Sequence, residues 1–205
     1  MIDDAGTLPE IAPRTAATPA AKAVPGEPGL WVFLFGDMAI FLVFCAAYLV
    51  ERAGARELFA ASRLQLGLGL GLTNTVILLT SSLLVVVALQ AVRGARTGPA
   101  RAALAAALAC ALAFVTLKGL EYAHLIEAGH GPGSNLYFTY FFILTGLHLS
   151  HVLIGLVVLG LMLAQAGRPD AATGQRRRWI EAGACYWHLV DLLWMTVFPL
   201  LYLVG

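Results

Sequence analysis

Charged residues are scarce in this sequence: Asp, Glu, Lys and Arg make up 12% of its 205 residues, and its net charge is +1. An ordinary soluble domain carries roughly 25% charged residues, so the composition argues against one. The strongly basic balance that would suit nucleic acid is also missing. The three cysteines share no short spacing such as CxxC, and we interpret them as small core residues. What is abundant is apolar residues, 60% of the chain, gathered into long runs.

Five apolar runs are each long enough to cross about 30 Å of hydrocarbon as a helix. They lie near residues 29–50, 66–92, 102–126, 136–165 and 181–204. The sequence therefore predicts an all-α integral membrane protein, with a bundle of five transmembrane helices forming one domain over residues 29–205. Residues 1–28 hold no apolar core of the signal-peptide type, and their Ala, Pro and Thr content predicts a mobile N-terminal tail.

Lysine and arginine are unevenly divided between the two sides of this bundle. The tail and the loops at 93–101 and 166–180 share one side and are rich in arginine, whereas the other side has only Arg52, Arg56 and Arg63. Positive residues favour the cytoplasmic side of a membrane. We therefore expect a multi-pass protein of a bacterial inner membrane, with a cytoplasmic N-terminus and a periplasmic C-terminus.

Several ionisable residues lie inside the predicted spans, where each costs on the order of 2.5–3.5 kcal/mol unless it is paired or neutral. Lys118 and Glu121 are three residues apart with opposite charges, which predicts an ion pair within one helix or with a neighbour. Asp37 has no basic neighbour in its own span. It could hold a proton, contact a lipid headgroup through water, or meet a polar group of a partner.

Histidines recur in the last two spans. His148 and His151 are three residues apart, as are His188 and Asp191. A metal or haem site would need further ligands, so hydrogen bonds between helices are the favoured interpretation, with proton transfer by His188 and Asp191 as the alternative. The second span adds uncharged residues suited to interhelical hydrogen bonds, namely Asn74, Thr75, Ser81 and Ser82.

Five motifs, one in each predicted span, together resemble subunit III of the haem-copper oxidase superfamily in its short, five-span form. They are FGDMAIFLVFCAAYL (35–49), LTNTVILLTSS (72–82), LKGLEYAHLI (117–126), YFFILTGLHLSHVLIGLVVL (140–159) and YWHLVDLLWMTVFPLLYL (186–203). Asp37 matches the position of the family's buried carboxylate. An aspartate there is similar to quinol oxidase subunits and to the branch associated with nitric oxide reductases, and the opening GEPGLWVFLFGDM resembles that same branch.

The resemblance implies an accessory subunit that carries no redox centre or metal of its own. Such a subunit packs on a large haem-bearing catalytic subunit, whose further metal is copper or non-haem iron. It binds phospholipid between its first helices and the rest, and it supports proton uptake in the respiratory chain, in aerobic respiration or in denitrification.

Two other functions remain open from the residues themselves. One is a membrane metalloenzyme with His148, His151 and His188 as ligands. The other is a small proton-coupled transporter built around Asp37, Lys118 and Glu121, although the sequence has no inverted repeat of the kind that transporters show.

Overall fold

A computed structural model describes residues 28–168, 171 and 173–204 of the chain. Within these residues, six α-helices follow one another in the order α1 (Pro28–Gly54), α2 (Arg56–Arg63), α3 (Leu68–Arg93), α4 (Thr97–Glu127), α5 (Leu136–Ala166) and α6 (Gly174–Phe198), and a π-helical turn (Pro199–Leu203) continues α6. No β-strand occurs in these described ranges. The predicted mobile tail, apart from Pro28, lies outside the described residues.

The helices have the length and hydropathy of membrane spans. Four of them qualify singly, and the bent pair of α1 and α2, with 110° between its two helices, gives a fifth if it counts as one span. The expected all-helical, multi-span membrane protein is thus confirmed, with four or five spans. The last helix begins at Gly174, ahead of the predicted 181, because the polar turn at 175–178 continues the helix beyond the apolar segment that hydropathy detects.

Helix α2 was not predicted from the sequence. It starts after a break at Ala55 and turns the chain sharply away from the direction of α1. Phe59 is its buried anchor. At the start of α5, Asn135 caps the helix by accepting a hydrogen bond from the backbone N–H of Phe138 at 2.9 Å. The same Asn135 donates to Ser62 of α2 at 2.9 Å, so α2 is held against the start of α5.

Helices α3 and α4 form the most extensive contact and are joined by only three residues. Arg96 N–H donates to the Ala91 carbonyl at 2.9 Å, and Ala95 between them has a positive φ of 53°, the left-handed geometry that ends many helices. Helix α6 packs on both α3 and α5, whereas α1 lies against α5 and α6.

The core is rich in buried aromatic rings, most of them near α6 and the π-helical turn. Trp187, Trp194, Tyr137 and Tyr202 are all less than 2% exposed. The wider π-helical turn begins at Pro199, which lacks an N–H for the normal α-helical bond, and the Val204 N–H donates to the Pro199 carbonyl at 2.9 Å. This turn aims Tyr202 into the bundle.

Candidate functional site

The first of three polar contacts inside the bundle joins α1 to α5. His151 Nε2 lies 2.9 Å from Asp37 Oδ1, and its Nδ1 lies 2.7 Å from the Leu147 carbonyl. A carbonyl oxygen only accepts, so Nδ1 carries a hydrogen. A contact of 2.9 Å between Nε2 and a carboxylate oxygen then requires one further proton, held by the imidazole or by the carboxyl group. The pair therefore joins α1 to α5 through a hydrogen bond.

The second contact is a closed triangle of charged and hydroxyl groups. Lys118 Nζ lies 2.7 Å from Glu121 Oε2 and donates to the Tyr202 hydroxyl at 2.8 Å, while that hydroxyl donates to Glu121 Oε1 at 2.6 Å. Lys118 is fully buried, and the exposed fraction of Glu121 is only 3%. The ammonium therefore lies inside the bundle instead of extending to the membrane surface.

Aromatic rings surround this triangle. Lys118 Nζ lies 4.7 Å from the centroid of the Trp194 ring, a distance at which a ring face attracts a cation. The Trp194 indole N–H in turn donates to Thr75 Oγ1 at 3.0 Å. Gly71 lets α3 come this close, because a Cβ at that position would lie 2.9 Å from ring carbons of both Phe198 and Tyr202. Of the three glycines in GLGLGL (67–72), this one makes the close approach.

The third contact joins α3 to α6. Ser82 Oγ lies 2.7 Å from His188 Nδ1, and Asp191 lies within interaction range of both. His188 and Asp191, which the sequence placed on one helix face, thus meet a serine that the sequence had assigned to interhelical bonding. Ser81, the next residue, donates to the Ala107 carbonyl of α4 at 3.1 Å. These two serines fasten α3 to both of its neighbours.

Two fully buried polar residues make no such contact. Neither ring nitrogen of His148 and neither side-chain polar atom of Asn74 has a hydrogen-bond partner in the described residues. The His148 ring instead lies 5.7 Å from the Phe114 ring and 5.1 Å from Trp194. His148 and His151, although three residues apart on α5, therefore have different surroundings.

The histidines do not converge on a common centre. Among the residues that the structure describes, no three His, Cys, Asp or Glu side chains lie close enough together to hold a metal ion. His151 contacts Asp37, His188 contacts Ser82, and His148 is enclosed by aromatic rings. The chemistry that this arrangement can perform is the holding of protons and the bonding of helices to each other.

Sequence reasoning missed the partners that come from distant helices. In the sequence, Trp194 and Tyr202 lie within the apolar span at 181–204, and Arg63 lies between the first two spans. Arg63 Nη1 donates to the carbonyls of Tyr202 and Leu203 at 3.3 Å. A tyrosine behind a helix-breaking proline, as in PLLYL, is the one local signal that could have singled out Tyr202.

These contacts define a helical membrane bundle with paired ionisable groups in its interior. Comparison with known proteins gives the family: the model for cytochrome c oxidase subunit III matches residues 26–205, which includes every described helix. The chain belongs to the cytochrome c oxidase subunit III family, and the resemblance noted in its motifs is confirmed.

Individual relatives agree with this assignment. The chain is 30% identical over 183 residues to cytochrome bo(3) ubiquinol oxidase subunit 3 of Pseudomonas aeruginosa, covering 86% of this chain and 84% of that protein. It is also 30% identical over 181 residues to cytochrome c oxidase subunit 3 of Thermostichus vulcanus, covering 86% of each. The heme-copper oxidase subunit I+III of Aeropyrum pernix is 29% identical over 180 residues, which are 85% of this chain but 22% of that longer protein.

Proposed function

We propose that this protein is a non-catalytic accessory subunit of a respiratory haem-copper enzyme, packed on a large haem-bearing catalytic subunit. The observation that carries the proposal is the family match over the whole bundle. A relative whose name joins subunits I and III in one chain supports a direct contact with the catalytic subunit. The enzyme served is either a terminal oxidase or a nitric oxide reductase, and the aspartate at position 37 favours a quinol oxidase or the reductase-associated branch.

The redox cofactors belong, in this proposal, to the partner. Haem and a copper or non-haem iron ion would be bound by the catalytic subunit, and this chain would bind none. The separate surroundings of His148, His151 and His188 support that division, because a haem-binding or metal-binding site in this chain would need ligands that converge.

The Asp37–His151 pair is the part of the site best suited to support proton uptake. It stores one proton, its two side chains are 13% and 9% exposed, and one carboxylate oxygen has no partner in the described residues. While it holds that proton the pair is electrically neutral, which suits a membrane interior, and release of the proton leaves one negative charge that the accepting group must balance. The proton would pass to or from groups of the catalytic subunit at its entrance.

Lipid would bind beside this pair. A cleft of about 80 Å³ between α1 and α6 is lined by Met38, Phe41, Leu42, Cys45, Leu193 and Thr196. Its lining is almost wholly apolar, which suits a segment of acyl chain and not a headgroup. A phospholipid held here would fill the space between the first helix and the rest of the bundle.

The orientation in the membrane follows the distribution of arginine. We propose a bacterial inner-membrane location, with the side of the α3–α4 and α5–α6 connections in the cytoplasm and the side of α2 in the periplasm. Relatives from Pseudomonas aeruginosa and from other bacteria support the location. Cysteine residues introduced at Arg56 and at Arg96, labelled from one side of intact cells, would test it.

Purification of the tagged chain from its own membranes in mild detergent tests the accessory role. We expect a larger haem-bearing chain to co-purify, and its haem spectrum and its reduction of oxygen or nitric oxide identify the enzyme. Stoichiometric iron, copper or zinc in the isolated chain, lost in His148→Ala, would contradict the proposal and favour a metalloenzyme.

Two variants of the pair separate a proton role from a structural one. Asp37→Ala should leave the haem content unchanged but shorten the catalytic lifetime of the complex, because both the proton site and the helix contact are lost. Asp37→Asn can still hydrogen-bond His151 but cannot take up a proton, so it should preserve assembly while slowing turnover. Normal turnover and lipid content in both variants would count against a role for Asp37.

A further inference from the structure

The histidine of the α3–α6 contact is open to the outer surface of the bundle. His188 is only partly buried, and so is Ser82, which bonds its Nδ1. The other ring nitrogen, Nε2, makes no hydrogen bond with the described part of the chain, yet it is not enclosed by protein. Residue 188 lies at the middle of the span Gly174–Leu203. A polar nitrogen therefore faces outward at the depth where a membrane holds least water.

The polar cluster of Ser82, His188 and Asp191 determines what this nitrogen can do. Asp191 is 8% exposed, and its carboxyl group interacts with the Ser82 hydroxyl. If the ring is protonated and the carboxylate ionised, Nδ1 donates to the serine and the serine donates to the carboxylate. If the carboxyl group holds the proton, it donates to the serine, and the serine donates to Nδ1, which leaves the hydrogen of the neutral ring on Nε2. Both arrangements are electrically neutral, as a membrane interior favours, and in both Nε2 is a donor.

Apolar side chains surround the outward nitrogen on both helices. On α3, Leu79 and Val86 lie one turn to either side of the serine and are 44% and 37% exposed. On α6, Leu192 lies one turn beyond the histidine and is 51% exposed. The next residue, Leu193, faces α1 across the cleft, so the exposed strip of α6 runs between α1 and α3. A group that covers this strip is therefore apolar along its length and carries one acceptor.

A transmembrane helix of another chain meets that description. Lipid acyl chains have no acceptor, and headgroup oxygens lie at the membrane surface, about 15 Å from the midplane. Polar side chains at this depth join transmembrane helices by hydrogen bonds. A hydroxyl, amide or carboxyl oxygen on an otherwise apolar helix would accept from Nε2.

We propose that the face around His188 docks a transmembrane helix of the catalytic subunit, with Nε2 donating a hydrogen bond to an oxygen of that helix. The identity of the partner rests on the proposed accessory role, whereas the position of the contact and its donor character follow from the contacts of this chain. Ser82 and Asp191 are positioning residues, because they hold the ring in place and keep a hydrogen on Nε2.

Two replacements of His188 separate its outward bond from its inward bond. Asparagine places its amide near the position of Nδ1, and glutamine places its amide near that of Nε2. His188→Asn should keep the bond to Ser82 and the wild-type unfolding midpoint, but it should bind the separated catalytic subunit in mild detergent about tenfold more weakly. His188→Gln should unfold at a lower temperature yet retain most of the affinity. Thr116→Val is the control with wild-type affinity, since this exposed threonine of α4 bonds within its own helix.

Photo-crosslinking in native membranes identifies the occupant while His188 stays intact. The photoreactive residue p-benzoylphenylalanine replaces either Leu192 or Leu112, a residue of α4 that is 52% exposed. We expect a crosslink to the catalytic subunit from position 192 and none from position 112. A crosslink from position 192 to a second copy of this chain, or to no protein, overturns the proposal.

The same experiments distinguish failure of this contact from failure of the accessory role. A catalytic subunit that binds His188→Asn as tightly as the wild type overturns the contact and leaves the accessory role standing. Absence of any haem-bearing partner of the wild type overturns both. If His188→Asn fails to fold, the crosslink from position 192 decides.

Discussion

A lysine buried inside a membrane bundle is stable only while a counter-charge stays beside it. Glu121→Gln removes that charge from Lys118 and should lower the free energy of unfolding by about 3–5 kcal/mol. Adding Lys118→Met removes the ammonium that Glu121→Gln leaves without a counter-charge, while the amide introduced at position 121 still accepts a hydrogen bond from Tyr202. The double variant should therefore be more stable than Glu121→Gln alone. Thermal unfolding in mild detergent, followed by tryptophan fluorescence, measures both. A double variant at least as unstable as the single one would contradict this account.

Tyr202 links the two charges, since its hydroxyl accepts from Lys118 and donates to Glu121. Tyr202→Phe removes only this hydroxyl, and we expect a loss of about 1–3 kcal/mol because charged groups lose a buried hydrogen-bond partner. Tyr140→Phe is the control, since the Tyr140 hydroxyl makes no hydrogen bond within the described part of the chain. Equal stability of the two variants, measured by the same unfolding experiment, would show that the hydroxyl is not important.

At the scale of residues, spacing could predict neighbours on one helix but not partners across helices. Three-residue spacing suggested that Lys118 could pair with Glu121, and the two side chains do meet. The same spacing placed His148 beside His151, yet only His151 reaches Asp37. Which face of α5 meets α1 depends on how α5 is rotated about its own axis when the whole bundle packs. A hydropathy pattern contains no information about that rotation.

At the scale of helices, apolar run length predicted the long spans closely, because the thickness of the membrane fixes how many residues each needs. Helix α2 escaped prediction because its eight residues are mostly polar or small and owe their position to Phe59 and Ser62. The π-helical turn escaped because its cause is a single proline acting on the last turn of an otherwise regular span.

Helices α5 and α6 pack closely at a glycine. A Cβ at Gly155 would lie 2.6 Å from a ring carbon of Trp187, which is nearly fully buried and cannot move aside. Gly155→Ala should therefore destabilise the bundle by about 1–3 kcal/mol through overpacking. Gly160→Ala, five residues further along α5, has no heavy atom within 4 Å of the new carbon and serves as the control. Unfolding midpoints that fall equally in both variants would contradict the close approach.

At the scale of the whole molecule, the bundle has a tightly joined part and a more lightly attached first helix. Helices α3 to α6 are fastened to one another by the serine contacts, the Lys118 cluster and extensive packing. Within the described residues, the polar side-chain contact that attaches α1 to α5 is the Asp37–His151 pair. The Asp37–His151 contact therefore holds in place the helix that forms one wall of the α1–α6 cleft.

Loss of the pair should open the cleft, and Cys45 can report the opening because it is 6% exposed and lines that cleft. In a background with Cys110→Ser and Cys185→Ser, Asp37→Ala should raise the rate of maleimide labelling of Cys45 about tenfold, since a hydrogen bond to a charged group is lost. Asp37→Asn, which keeps a donor for His151, should label nearly as slowly as the parent. Ser150→Ala is the control on α5, because Ser150 bonds only within its own helix. An unchanged labelling rate in Asp37→Ala would mean that apolar packing alone holds α1 in place, and the role of the Asp37–His151 contact in closing the cleft would then be wrong.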